Sequence, residues 1–208
     1  MNLITNTSRK SFLLITLLNL FLQMPFKAYA ENVDDIFNRG VEFSNNNKDC
    51  SALTEFNKVS AINPNYKDIY LWRGISRFYC GYPGDYIGAY SEFLKELNNG
   101  EDVIIYYWLG KSIGNAGYWK RAVNYFTKAI EFEPKDSELY HERALNYEKL
   151  NQWYLAINDY QKATELDPNA TNAYFNMAVI FRDKLKDKKN ACKNFYQAKR
   201  LGDEEAKE

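Results

Sequence analysis

The chain has 208 residues, enough for one domain or two small ones. Its 27 basic and 27 acidic side chains cancel, which excludes the strongly basic profile of a protein that binds nucleic acid by neutralising phosphates. Apolar residues at 46% and charged residues at 26% exclude wholesale disorder, and one His with three Cys is too few for most structural zinc sites.

The N-terminal segment reads as a targeting signal. Residues 1–10 are mostly polar and end in Arg9 and Lys10, and residues 11–26 are almost entirely apolar. Lys27-Ala28-Tyr29-Ala30 then places small residues where a signal peptidase reads them. Cleavage after Ala30 and export to a periplasm or the medium are expected. The alternative is a retained anchor, but this apolar stretch reaches only ~24 Å as a helix, against roughly 30 Å of hydrocarbon. No Cys directly follows the site, which argues against a lipidated N-terminus, and no later segment is apolar enough to span a membrane. Cleavage removes Arg9, Lys10 and Lys27 but no acid, leaving 24 basic and 27 acidic residues, net −3.

Beyond Ala30 the sequence repeats. Pro134 and Pro168 are 34 residues apart, and so are Trp119 and Trp153. In the block 137–170, Tyr140, Ala144 and Tyr147 recur at helical spacing, as do Ala156, Tyr160 and Ala163. Leu150-Asn151-Gln152 separates the two runs and Asp167-Pro168-Asn169 ends the second. The spacing predicts a helix–turn–helix unit of 34 residues.

An aromatic at position 4, Gly or Ala at 8, Tyr at 11, Ala at 20 and 27, an aromatic at 24 and Pro at 32 resemble the tetratricopeptide repeat. The unit 33–66 carries Gly40, Phe43, Ala52, Phe56 and Pro64, and 103–136 carries Tyr106, Gly110, Ala122, Phe126, Ala129 and Pro134. Between them, 67–102 carries Tyr70, Gly74, Ala89 and Phe93, with three extra residues around 80–85 and Asn98-Asn99-Gly100 in place of the proline. After 137–170, the unit 171–204 carries Tyr174, Ala178 and Phe181, then one extra residue before Ala191, Phe195 and Ala198. The resemblance implies an all-α, right-handed superhelical solenoid forming one domain over 31–208, closed by the polar last helix. Small residues at 8, 20 and 27 let paired helices approach, and large ones at 4 and 24 fill the space between them.

The resemblance also places positions 2, 5, 9, 12 and 13 of each first helix in a concave groove. Position 5 is Phe37, Leu71, Tyr107, His141 and Phe175; position 9 includes Ile75, Lys111 and Leu145; positions 12 and 13 include Phe78, Tyr79 and Glu148. The expected surface is an apolar and aromatic stripe with a modest acidic edge from Asp34, Asp68 and Glu138 at position 2. Phe37, Leu71, Tyr107 and Phe175 would anchor a ligand while Lys111 and Glu148 read its polar groups. Alternatively, tight curvature buries some of these residues. Only Lys111 suits the carboxylate-gripping clamp of some relatives, so that clamp is not expected.

Cys50 begins the second helix of one unit and Cys80 ends the first helix of the next, with Asn65, in the turn joining them, midway between. They should sit level across a hairpin, and a disulfide closing about 31 residues would contribute ~3–4 kcal/mol; two packed free thiols are the alternative. Cys192 is expected as a buried filler.

Catalytic signals are thin. His141, the lone His, has no nucleophile placed beside it, and Gly81, Gly84 and Gly88 lack the Lys and Ser/Thr of a phosphate loop. Glu148 and Asp183 could face each other across neighbouring units, but helix-surface carboxylates are usually solvated or ion-paired. The reading is a non-enzymatic, cofactor-free exported module that binds a peptide or partner protein. An envelope glycan-binding protein, hydrolytic or not, and a structural subunit of a larger assembly are the alternatives.

Overall fold

The computed structural model describes residues 31–81 and 83–203, so the targeting segment expected over 1–30 lies outside the described residues. Among those residues there is no strand. The helices are α1 (Val33–Asn45), α2 (Asp49–Ile62), α3 (Ile69–Tyr79), α4 (Tyr86–Leu97), α5 (Val103–Asn115), α6 (Trp119–Phe132), α7 (Ser137–Lys149), α8 (Trp153–Leu166), α9 (Thr171–Val179) and α10 (Lys188–Arg200). They pair as five hairpins, each packed on the next, giving the expected all-α solenoid. The first helices α3, α5 and α7 also touch in succession, which sets the first helices on the inner side of the stack.

Local chemistry sets the helix ends. Asn32, Asp102 and Asp136 accept hydrogen bonds from the N–H groups of Asp34, Ile104 and Glu138, satisfying donors exposed at the starts of α1, α5 and α7. Helices α2, α6 and α8 end at Ile62, Phe132 and Leu166, each just before a proline that lacks the N–H a continued helix needs.

Inside each hairpin a large ring meets a small residue. Phe56, Phe93, Phe126 and Tyr160 are fully buried and Phe195 nearly so. A Cβ on Gly40, Gly74 or Gly110 would come within 2.6, 2.4 or 2.8 Å of the Phe56, Phe93 or Phe126 ring. Close helix approach therefore requires glycine there, and the last two hairpins have the fully buried Ala144 and Ala178 at the same position.

A second inter-helix device escaped the sequence reading. Arg39 on α1 pairs with Glu55 on α2, Arg73 on α3 with Glu92 on α4, and Arg143 on α7 with Asp159 on α8. The three acids are buried. The third hairpin replaces this pair with Leu109 and Tyr125; the Tyr125 hydroxyl lies 2.8 Å from that of Tyr90.

The insertions are absorbed in two ways. The α3–α4 loop is held by Asp85, which accepts from the Gly88 N–H at 2.8 Å and from the Arg77 guanidinium at 2.7 Å. In the last hairpin the extra residue widens the first helix into a π-turn over Ile180–Lys184, where the Leu185 N–H donates to the Ile180 carbonyl at 3.1 Å.

Cys50 and Cys80 are joined by a disulfide, their Cα atoms 4.7 Å apart, so the first two hairpins are covalently tied beside the inserted loop. Replacing both with Ser is expected to lower the unfolding free energy by about 3 kcal/mol, read from urea midpoints. Denatured, unreduced protein should resist alkylation at both positions; adducts on both would remove the bridge. Cys192 is exposed on α10 instead of buried. Among the described residues no hairpin packs on the outer face of this helix.

Candidate functional site

The inner face of the first helices holds the residues expected at positions 5 and 9, but most are committed to packing. Phe37 is half-buried, its ring 5.5 Å from Phe56, 4.8 Å from Tyr66 and 6.1 Å from Trp72. Phe175 is half-buried with its ring 5.7 Å from Phe195. Leu71, Ile75 and Leu145 pack against the cores of their own regions, and Phe78 is buried. Tyr79 is the large apolar side chain of this set that stays open, at 52% exposure.

The central residues form two polar networks. The Tyr107 hydroxyl donates to Glu138 Oε1 at 2.7 Å, and Lys111 Nζ donates to the Tyr107 oxygen at 3.2 Å and to Glu142 Oε1 at 2.8 Å. Burial, reinforced by the Glu138 carboxylate, pushes the Tyr107 phenol up. In the neighbouring hairpin the His141 ring packs 5.3 Å from Tyr160, whose hydroxyl donates to Glu148 and accepts from Asn176 Nδ2 at 3.2 Å. Asp183 is engaged by Arg182 at 2.7 Å, so Glu148 and Asp183 each answer to other partners. Burial lowers the His141 imidazole and raises the Glu148 carboxyl.

These shifts give a pH prediction. As pH falls through the ordinary imidazole range the unfolded chain protonates His141 before the folded chain does, so this residue weakens the fold as pH falls from 7 toward 5.5. Glu148 acts in the opposite sense: its raised pKa lets the folded state hold a proton the unfolded chain has lost. The comparison with His141→Gln isolates the first contribution. Urea midpoints at pH 7 and 5.5 should show the wild type losing more stability over this interval than the variant.

Three cavities open along the inner edge, one at each successive junction of hairpins two to five. The first, about 420 Å³, is lined by Asp68, Leu71, Glu96 and Ile104 among others. The second, about 560 Å³, has Tyr107, Trp108 and Leu139 with Asp102, Glu133 and Glu138. The third, about 540 Å³, includes Glu138, His141, Glu142 and Asp167. Expected positions 2 and 5 thus line the cavities, whereas Ile75, Phe78, Tyr79, Lys111, Leu145 and Glu148 line none of the three. Phe37 and Phe175 lie on α1 and α9 and also line none of them.

The edge is far more acidic than the modest one expected. Glu96, Glu101, Glu133 and Asp167 come from the ends of second helices and the turns that follow, outside the first-helix positions. Their signal was a recurrence of acids at those hairpin ends. Among the described residues no group of three or more His, Cys, Asp or Glu side chains could hold a metal ion, and no helix is long and apolar enough to cross a membrane.

Residues 147–183 match the family model described as TPR repeat. The fold is similar to that of "MamA 41-end from Desulfovibrio magneticus RS-1", at TM-score 0.75 and 20% identity over 84% of this chain and 97% of that one. It is also similar to YrrB, titled "a TPR protein with an unusual peptide-binding site", at TM-score 0.67 and 23% identity over 86% of this chain and 93% of that one. A comparison with curated protein sequences gives no significant match.

Proposed function

We propose that this tetratricopeptide-repeat protein is an exported, non-enzymatic binding module that holds a segment of a partner protein along the inner edge of its first helices. The observation that carries this reading is the run of three preformed cavities at successive hairpin junctions, all with acidic walls, the first two floored by larger apolar side chains and the third by alanines. Such a surface suits an extended chain that places side chains in successive cavities. The unusual peptide-binding site of YrrB belongs to that protein, and the shared fold supports a comparable use here. The Cys50–Cys80 bridge fits an oxidising compartment and so supports export. A protein ligand is preferred over a glycan because the Phe37, Tyr107 and Phe175 rings contact neighbouring rings and are not freely displayed as stacking platforms.

The test is site-specific photo-crosslinking of the full chain in its native host. A photoreactive residue at Ile104, half exposed on the edge, should form an adduct with a discrete partner, while one at Tyr154, the most exposed large apolar side chain on α8, should not. Crosslinks confined to Tyr154 would move binding to the outer face and sink the groove reading.

A further inference from the structure

We infer that the occupant of this edge is a basic segment, an extended stretch of a partner protein carrying Lys or Arg side chains interspersed with apolar ones. The inference rests on the groove reading and specifies its ligand. The three cavities are lined by four, four and three carboxylates, with Asp102 and Glu138 each shared by two of them, so nine acids border one continuous strip. No Lys or Arg lines any of the three. Composition does not force this, because the whole chain carries equal numbers of acids and bases. The charge has been segregated.

Uncompensated like charges over a low-dielectric floor repel one another and raise the local negative potential. Internal partners relieve little of it. Lys111 neutralises Glu142, Asp102 and Asp136 cap helices, and Glu138 takes the Tyr107 hydroxyl. The Glu133 carboxylate enters no ion pair or side-chain hydrogen bond among the described residues and stands exposed at the end of α6 beside the central cavity.

The arrangement also discriminates among cationic ligands. The carboxylates are strung along the strip and do not converge into a set able to hold a metal ion among the described residues. A polymeric cation fits that spacing and a single divalent ion does not. Between the acids lie Val103, Ile104 and Leu139, with Ile104 50% exposed. Lys and Arg suit such a mixed surface, since their aliphatic stems cover apolar area while the charged heads reach carboxylates. Acidic segments and nucleic acids would meet repulsion along the whole edge.

The experiment uses the purified chain from residue 31 onward and three fluorescein-labelled nonapeptides in which leucine alternates with lysine, glutamine or glutamate. By fluorescence anisotropy the lysine peptide should bind at least about tenfold more tightly than the glutamine peptide, and the glutamate peptide should not bind. The affinity of the lysine peptide should fall as salt rises from 50 to 200 mM, because exposed charge pairs are screened. Glu133→Lys and Ile104→Ser should each weaken it about fivefold or more with helical content unchanged, and Glu133→Gln should fall between wild type and Glu133→Lys. Equal binding of the lysine and glutamine peptides, both lost in Ile104→Ser, would overturn the basic preference while leaving the groove in use. Lysine-peptide binding that is unchanged in Glu133→Lys and Ile104→Ser would place the basic site elsewhere and overturn the inference. No binding of any peptide would also overturn it; the groove reading would then fall only if the Ile104 crosslink in the host were absent too.

Discussion

Replacing Arg143 with Ala should cost about 4 kcal/mol of folding free energy, the effect of leaving a buried charge without its partner. The guanidinium donates to both Asp159 oxygens, from Nε at 2.7 Å and Nη2 at 2.8 Å, and through Nη1 to Thr127 Oγ1 of the preceding hairpin at 3.0 Å. Its Cζ lies over the Tyr140 and Tyr147 rings, 5.7 and 5.9 Å from their centroids. The two side chains are only 16% and 10% exposed, so water cannot readily take over when one is removed. The intact pair is worth much less than this loss, since both ions are desolvated to form it. The double variant Arg143→Met with Asp159→Leu should therefore recover most of the stability lost by Arg143→Ala. Urea unfolding followed by circular dichroism decides: a loss below about 1 kcal/mol for Arg143→Ala would show that water or a rotated neighbour satisfies Asp159. The Arg39–Glu55 pair should be more tolerant, because Arg39 is 35% exposed.

This pair also marks the boundary of what the sequence could tell. Periodicity exposes the packing face of a single helix, so Tyr140, Ala144 and Tyr147, or Ala156, Tyr160 and Ala163, were legible, and with them the hairpin fold. Arg143 and Asp159 lie on different helices, 16 residues apart, and the same separation links Arg39 to Glu55. In the second hairpin the inserted loop lengthens the separation, and in the third the pair is absent, so no constant spacing runs through the chain. The disulfide was legible for the opposite reason: two cysteines equidistant from a turn have a partner set by hairpin register alone. The π-turn was visible as one surplus residue, but its place within Ile180–Lys184 depends on which backbone hydrogen bonds yield, which residue types do not specify. For the candidate site, family positions led to Leu71, Tyr107, Glu138 and His141. They missed Glu96, Glu133 and Asp167, because a cavity between hairpins draws its walls from the end of one helix and the start of another.

The second large expected effect concerns how the stack holds together. Trp108 is half-buried on α5 and reaches back to the preceding hairpin, 5.4 Å from Phe78, 5.9 Å from Tyr79, and stacked 5.8 Å from Phe93. It is a principal side chain of the junction between hairpins two and three. Trp108→Ala should cost about 4 kcal/mol, the usual range for truncating a large aromatic in a packed setting. The form of the loss matters as much as its size. Solenoid stability is roughly a sum of unit terms and neighbour terms, and this change falls almost wholly on one neighbour term. Upstream, the first two hairpins are tied by Cys50–Cys80; downstream, three hairpins keep their own contacts. The variant should therefore unfold in two steps where the wild type unfolds in one. Trp72 reports the upstream block, while Trp119 and Trp153 report the downstream one. In a Trp119→Phe, Trp153→Phe background, tryptophan fluorescence (from Trp72 and Trp108) and amide circular dichroism should coincide, whereas in Trp108→Ala, where Trp72 alone emits, they should separate. Coincident curves in the variant would show that the remaining contacts of α3 and α4 with α5 couple the two blocks without this ring, and that cooperativity is spread over the whole junction.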